Sequence, residues 1–433
     1  MSSWKDYYEK KQTTPREAVR AVKSGDRVVT GHACGEPRLV IDALVDRAGE
    51  LRDVEIVHLF TIGEGRYCLS EYRNSFRFNG FFMSAATRRA VWEGRGDYTP
   101  CYFHQIPRLF RDGTMPVDVA MIVVSPPDAD GAVSLGISVD YTMQAARSAR
   151  TVIAEVNPEM PQTGPGSRIS VTDIDYFIPS DRPLYTITPP GIGEVEKNIG
   201  EYIAGLIQDG DCLQMGIGAI PDAVLGFLDG KKDLGIHTEM ISDGVMHLVE
   251  KGVITGSRKT LHPGKVILNF VMGTKRLYRW LNDNPIIDAR PVDYTNDPAI
   301  IAKNDNVVAI NSSISIDLLG QASSESIGPR QFSGVGGQVD FIRGAAASKG
   351  GKSIIALPAT AKNGEVSRIV AGLLPGQAVT PSRNDVDIVV TEYGVAGLRG
   401  KTMRDRARAL INIAAPKFQD PLERECRKLY GWI

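Results

Sequence analysis

Three stretches of the chain combine residue types and spacings that can carry chemistry. In LGIHTEMISDGV, Glu239 stands just beyond a short apolar run. A carboxylate at the end of a buried strand can face a cleft and act as nucleophile or base. Asp243 and His237 in the same stretch are open to that role on composition, while His247, at a helix-like position, reads as a surface or packing residue that could in principle relay protons. In LQMGIGAIPDAV, an apolar run passes through Gly216, Ile217, Gly218, Ala219 and Ile220 to Pro221, which suits the first turn of a helix. Glycines there let backbone N–H groups approach a ligand, and a helix start favours a negative group such as phosphate. A plain strand-to-helix turn uses the same residues, and the third glycine of a dinucleotide fingerprint is missing. In QFSGVGGQVDF, Gly334, Gly336 and Gly337 make a turn able to aim N–H donors at a developing oxyanion, or simply a bulge. Asn296 in TNDP reads as an Asx-turn or helix-cap residue. Lys362 in PATAKNGEVSR reads as a phosphate contact or a solvated lysine.

Composition limits what these residues can serve. At 433 residues the chain exceeds the roughly 250–300 at which a single core stops growing, so two domains are expected. Lys+Arg number 50 against 51 Asp+Glu, which leaves no basic footprint for nucleic acid. A hydrophobic share of 42% argues against disorder, and 44 glycines with 25 prolines argue against a helical bundle. No apolar run approaches 18 residues, and MSSWKDYYEKK carries no secretory apolar region, so neither a membrane span nor export is expected. Cys34, Cys68, Cys101, Cys212 and Cys426 are odd in number and form no C-x-x-C pair. They predict neither a disulfide framework nor a zinc ribbon. The expectation is a cytoplasmic protein without structural metal.

The elements that position the candidate residues come in two copies. SGDRVVTGHACGEPRLVIDALVDRA is echoed by DGDCLQMGIGAIPDAVLGFLDG, with Gly25-Asp26 matching Gly210-Asp211 and Gly31 matching Gly216. DVEIVHLFT then parallels DLGIHTEMI, and FRFNGFFM parallels VILNFVMG. VDVAMIVVSPPDADGAVSLG parallels NVVAINSSISIDLLGQASSESIG, and ARTVIAEVNP parallels KSIIALPAT. Similar short strands occur in all α/β chains, but five matches in one order point to internal duplication. The continuous apolar runs predict sheets covered on both faces, hence α/β layers. The Pro/Gly-rich SDRPLYTITPPGIGEVEKNIG is the natural linker, dividing the chain into domains 1–190 and 191–433. Two related domains are expected to leave the ligand site in the cleft between them.

GIGAIPDAV, GIHTEMISDGV, VMGTKRLY, FSGVGGQVDF and PSRNDVDIVVTEYG occur in this order, along with WKDYYEKK, SPPDADG, SVDYTMQA and DRARALINIA. Together they resemble the acetyl-CoA hydrolase/transferase group of family I CoA-transferases over essentially the whole chain. The resemblance implies two CoA-transferase-type α/β domains related by pseudo-symmetry. It also implies exchange of CoA between a short-chain acyl-CoA and a short acid (4-hydroxybutyrate, butyrate or acetate) through a glutamyl-CoA thioester. Hydrolysis, or a dicarboxylate such as succinate or itaconate, is the alternative. The family's nucleophilic glutamate falls on Glu239, its steadying asparagine on Asn296, and its thioester-carbonyl donor on Gly337. CoA contacts fall on Gly216, Ile217, Gly218, Ala219, Ile220, Ser333, Gly337 and Lys362. This chain reads TNDP where relatives often have N-H-P. No metal or permanently bound cofactor is implied, CoA being substrate, and a homodimer is the family's assembly. For the acyl group, Gly31, His32, Phe60, Thr61 and Met83 are candidates, with Arg66, Arg77 and Arg88 as cations for a dicarboxylate.

Overall fold

The computed structural model describes residues 4–432. Two compact units divide the chain. The first takes the chain up to Thr188 together with Ile267–Thr295, and the second takes Pro189–Val266 and the chain from Asn296 onward. The segment Ile267–Thr295, assigned on sequence to the second domain, is held in the first unit by backbone pairing. Val139 N–H donates to the Asn269 carbonyl (2.9 Å), Val271 N–H to Ile137 (3.0 Å) and Ala289 N–H to Thr163 (2.9 Å). These partners lie more than a hundred residues apart, beyond the reach of local pattern.

The first unit is built on β1 (Arg27–Thr30), β2 (Val54–His58), β3 (Phe76–Gly80), β4 (Gly96–Tyr98), β5 (Val119–Val124), β6 (Thr151–Val156) and β7 (Tyr176–Pro179). They run in the order β4-β3-β2-β1-β5-β6-β7, every pair parallel. All six residues of β5 are buried, as a strand covered on both faces requires. In the second unit, β8 (Cys212–Met215), β9 (Gly235–His237), β10 (Val307–Ser312), β11 (Lys352–Ala356), β12 (Ile388–Thr391) and β13 (Gly394–Gly397) run in the order β9-β8-β10-β11-β12-β13. Only the last pair is antiparallel.

The duplication read from sequence is carried by the backbone. β2-β1-β5-β6 and β9-β8-β10-β11 are the matched segments, in the same spatial order. Gly25 and Gly210 take φ of 83° and 84°, and Asp53 and Asp233 take 54° and 56°. Asp26 accepts from Lys23 N–H and Asp211 from Gln208 N–H, both at 2.8 Å. Arg27 faces Glu55 across β1 and β2, as Cys212 faces Gly235 across β8 and β9. Each copy thus enters its sheet through the same turn, closed by its aspartate reaching back three residues, and leaves one left-handed aspartate before the next strand.

Candidate active site

Glu239 stands at the carboxyl end of β9, where open parallel sheets take their ligands. The bend there is held by Thr238, whose hydroxyl is shared between the Met215 and Met240 carbonyls at 3.1 Å each. That bond ties the end of β8 to the segment bearing Glu239. His237, two residues back, is fully buried, with Asn304 Nδ2 3.3 Å from its Nδ1 and the Phe341 ring 6.4 Å away. It is a core residue beneath the site. His247 is exposed on helix Asp243–Glu250, and Asp243 is the first residue of that helix.

Two further segments bring donors to the carboxylate. Helix Gln338–Ala347 buries Phe341 and Ala345 among Cys212, Ile301, Val307 and Ala309. It lies so close to helix Pro298–Ile301 that a Cβ on Gly344 would come within 2.5 Å of Ile301. The Gln338 amide also donates to the Ser312 carbonyl at the end of β10 (2.9 Å). These contacts fix the helix start, capped by Gly337, beside Glu239. Asp297, not Asn296, caps the short helix, accepting from Ala299 N–H at 2.8 Å. The buried Asn296 side chain instead donates to Glu239 Oε2 at 3.0 Å.

Gly337 completes the arrangement. Its backbone N–H lies near enough to the Glu239 carboxylate to favour the ionised form. Its φ of −93° is open to any residue, so space and not conformation demands glycine. A Cβ there would lie 2.0 Å from Glu239 Oε2 and 2.3 Å from Asn296 Nδ2.

Glu239 keeps some solvent access, yet the protein packed round its carboxyl pushes its pKa up to about 7. Burial is the largest cause. The charge of Asp340 adds to it, while the Asn296 and Gly337 donors pull the other way. Asp340 is buried in the first turn of helix Gln338–Ala347 and was not singled out on sequence. Its signal was its position, three residues after a glycine that starts a helix. Near neutral pH Glu239 is thus divided between its ionised and protonated forms.

The glycine loop 216–220 leaves the carboxyl end of β8 and enters helix Ala219–Gly226. Gly218 takes φ 120° and ψ 179°, a conformation essentially confined to glycine. Gly216 and Ala219 are half-buried, Ile217 is exposed and Ile220 is buried. Ser333 is committed to its own loop, its hydroxyl donating to the Ser324 carbonyl (2.9 Å) and its N–H to that of Glu325 (3.0 Å). Lys362 is exposed at the turn between Thr360–Ala361 and Val366–Ser367, where it and Asn363 take φ of 49° and 54°. Among the described residues, neither Ser333 nor Lys362 is hydrogen-bonded to Glu239.

In the first unit the acyl-group candidates line the carboxyl ends of β1–β3. His32 is buried, stacked on Tyr141, with Nε2 3.0 Å from Asp140. Gly31 sits in a tight turn, where a Cβ would come 2.7 Å from the Gly35 carbonyl. Met83 is buried and Phe60 half-buried. Thr61 donates to Glu36 Oε2 at 2.7 Å, a buried carboxylate that sequence reasoning passed over. Of the candidate cations, Arg66 is paired with Asp42 and Asp46, and Arg77 with Asp97. Arg88 is half-buried.

Family models for the acetyl-CoA hydrolase/transferase N-terminal and C-terminal domains match residues 2–188 and 273–426. The chain is 56% identical to the 4-hydroxybutyrate coenzyme A transferase of Clostridium kluyveri, across 99% of this chain and 100% of that protein. It is 47% identical to the succinyl-CoA:cyclohexane-1-carboxylate CoA transferase of Geobacter metallireducens, across 99% and 97%. Among solved structures, RipA from Yersinia pestis superposes with a TM-score of 0.95 at 40% identity, covering 99% of this chain and 100% of that one.

Proposed function

The chain belongs to the acetyl-CoA hydrolase/transferase family, and we propose that it is a CoA-transferase whose nucleophile is Glu239. The observation that carries this reading is the meeting of Glu239, Asn296 and the Gly337 N–H at the carboxyl edge of a parallel sheet. A carboxylate raised toward neutral pH by burial is poorly solvated, and therefore reactive once ionised.

Glu239 attacks the acyl-CoA carbonyl carbon, the C–S bond breaks, and CoA leaves as thiolate from a mixed acyl-glutamyl anhydride. The thiolate then adds to the glutamyl carbon. Collapse breaks the bond between the glutamyl carbon and the bridging oxygen, which leaves with the acyl group as the first carboxylate and gives a glutamyl-CoA thioester. A second carboxylate reverses the sequence, which makes the kinetics ping-pong. The donors of Asn296 and Gly337 lie on Glu239's own oxygens. They therefore serve the steps in which the glutamyl carbon is tetrahedral and that oxygen carries the charge. Loss of one such donor typically costs about 10²–10³ in rate.

The glycine loop of Gly216, Ile217, Gly218, Ala219 and Ile220, with Ser333 and Lys362, is assigned to holding CoA. The acids proposed are 4-hydroxybutyrate, named for the Clostridium kluyveri relative, its deoxy analogue butyrate, and acetate. A succinyl donor is the second reading, favoured by the name of the Geobacter metallireducens relative. A cytoplasmic homodimer completes the proposal.

Intact mass after mixing with butyryl-CoA in the absence of acid tests it. The expected result is a gain of one CoA, absent in Glu239→Ala and discharged by 4-hydroxybutyrate or acetate. Steady thiol release without an adduct would make the protein a hydrolase. No adduct and no release with any acyl-CoA, succinyl-CoA included, would overturn the reading.

A further inference from the structure

A cavity of about 390 Å³ opens in the second unit at the edge of the sheet opposite Glu239. Val386 and Asp387 lead into β12 there, and Leu398 to Lys401 follow the antiparallel β13, so the cavity sits at the amino end of β12. Glu239 lies past the carboxyl end of β9, and a four-residue strand spans about 13 Å, so at least a strand's length separates the two.

Arg383, Arg399, Lys401 and Arg406 line the cavity, against two carboxylates, Asp385 and Asp387. Both carboxylates are engaged. Asp385 accepts from the Ser382 hydroxyl (2.7 Å) and N–H (3.2 Å) and pairs with Arg343 (3.2 Å). Asp387 pairs with Arg399 (3.2 Å). Arg383 and Lys401 have no carboxylate partner among the described residues.

Arg406 is the unusual member. It is 7% exposed, and its Nη atoms donate only to the Leu319 and Val386 carbonyls, at 3.2 and 3.1 Å. Its Nε has no partner. Burial, and then the neighbouring charge of Arg383, disfavour its charged form. A buried guanidinium hydrogen-bonded to carbonyls alone, with the charge of Asp317 favouring it and a second guanidinium opposing it, would be further stabilised by an anion in the cavity. Guanidinium groups also match phosphate oxygens with paired N–H donors.

From this juxtaposition we infer that the cavity between β12, β13 and Arg406 binds a polyphosphate anion, separately from the site of CoA transfer. The carrier of the anion is open between inorganic pyrophosphate and the phosphate tail of a nucleotide.

Titration calorimetry of the full chain with pyrophosphate, ATP and AMP, in chloride buffer, tests the site. Saturable one-to-one binding of pyrophosphate is expected, unchanged by saturating CoA. Tighter binding of ATP than of pyrophosphate would identify a nucleotide as carrier, and the reverse would identify the inorganic ion, AMP being weak in either case. Charge removal in Arg383→Gln/Lys401→Gln, both exposed and far from Glu239, should weaken binding by about tenfold or more while leaving CoA-adduct formation intact. Absence of saturable binding, equal binding by the double variant, or displacement of pyrophosphate by CoA would each overturn the inference.

Discussion

Gly337→Ala tests the site geometry most directly. The new Cβ would lie 2.0 Å from Glu239 Oε2 and 2.3 Å from Asn296 Nδ2. Relief to an ordinary contact near 3.5 Å needs about 1.5 Å of separation. Helix Gln338–Ala347 cannot supply it easily, because Gly344 is already pressed against Ile301 and Gln338 is tied to Ser312. The carboxylate must therefore swing away from both donors. A misplacement of about 1 Å can cost 10²-fold, and loss of an oxyanion donor about 10²–10³. A fall in kcat of about 10²–10³ is expected, equivalent to about 3–4 kcal/mol. The backbone at Gly337 suits alanine, so the melting temperature should move by only a few degrees. The assay pairs kcat for acyl exchange with the rate of CoA-adduct formation by mass, alongside a thermal melt. A variant that melts like wild type and turns over within threefold of it would refute the geometry argued for Glu239.

Two further outcomes follow from the same site. On the proposed mechanism Glu239 reacts ionised, so the rate should rise with pH through about 7. Asp340→Asn removes a charge that raises this pKa and should move the rise to lower pH, whereas Asn296→Ala removes a donor that lowers it and should move the rise to higher pH. A pH–rate profile in which both variants shift the same way would contradict the assignment. Gly218→Ala forces a side chain into a glycine-only conformation, at about 1–3 kcal/mol. It should lower the melting temperature and raise the KM for acyl-CoA more than it lowers kcat, and an unchanged KM would remove loop 216–220 from the CoA site.

What was legible in the sequence was what is local. The Gly-Asp turns and the apolar runs that follow specify β1 and β8 within a few residues of themselves, so the duplication shows without coordinates. The membership of Ile267–Thr295 was not legible, because it depends on pairing with residues near 137–139 and 163 that nothing in the segment announces. At the site, residue types left Glu239 level with His237 and Asp243, with His247 read as a surface or packing residue able at most to relay protons, and family resemblance separated them. The structure adds the physical distinctions: His237 is walled in and His247 faces water. Asn296 reads in TNDP as the cap or Asx-turn residue, and only the folded chain shows that Asp297 takes the cap while Asn296 reaches the carboxylate. Asp340 stayed hidden because an aspartate in a first helical turn is ordinarily a solvated, dipole-stabilised residue.

The matched turns have a consequence for how each half tolerates change. Counting six residues from the left-handed aspartate of each copy arrives at Leu59 in one and Glu239 in the other. Leu59 is buried, its N–H bound by the Tyr141 hydroxyl (3.1 Å). One ancestral position has become a piece of scaffold in the first half and, on the proposed function, a reagent in the second. Substitution at Leu59 is answered by the thermometer, and substitution at Glu239 by the clock. A doubled gene that keeps its entry turns twice and this carboxylate once has freed one copy of that position from chemistry without freeing it from folding.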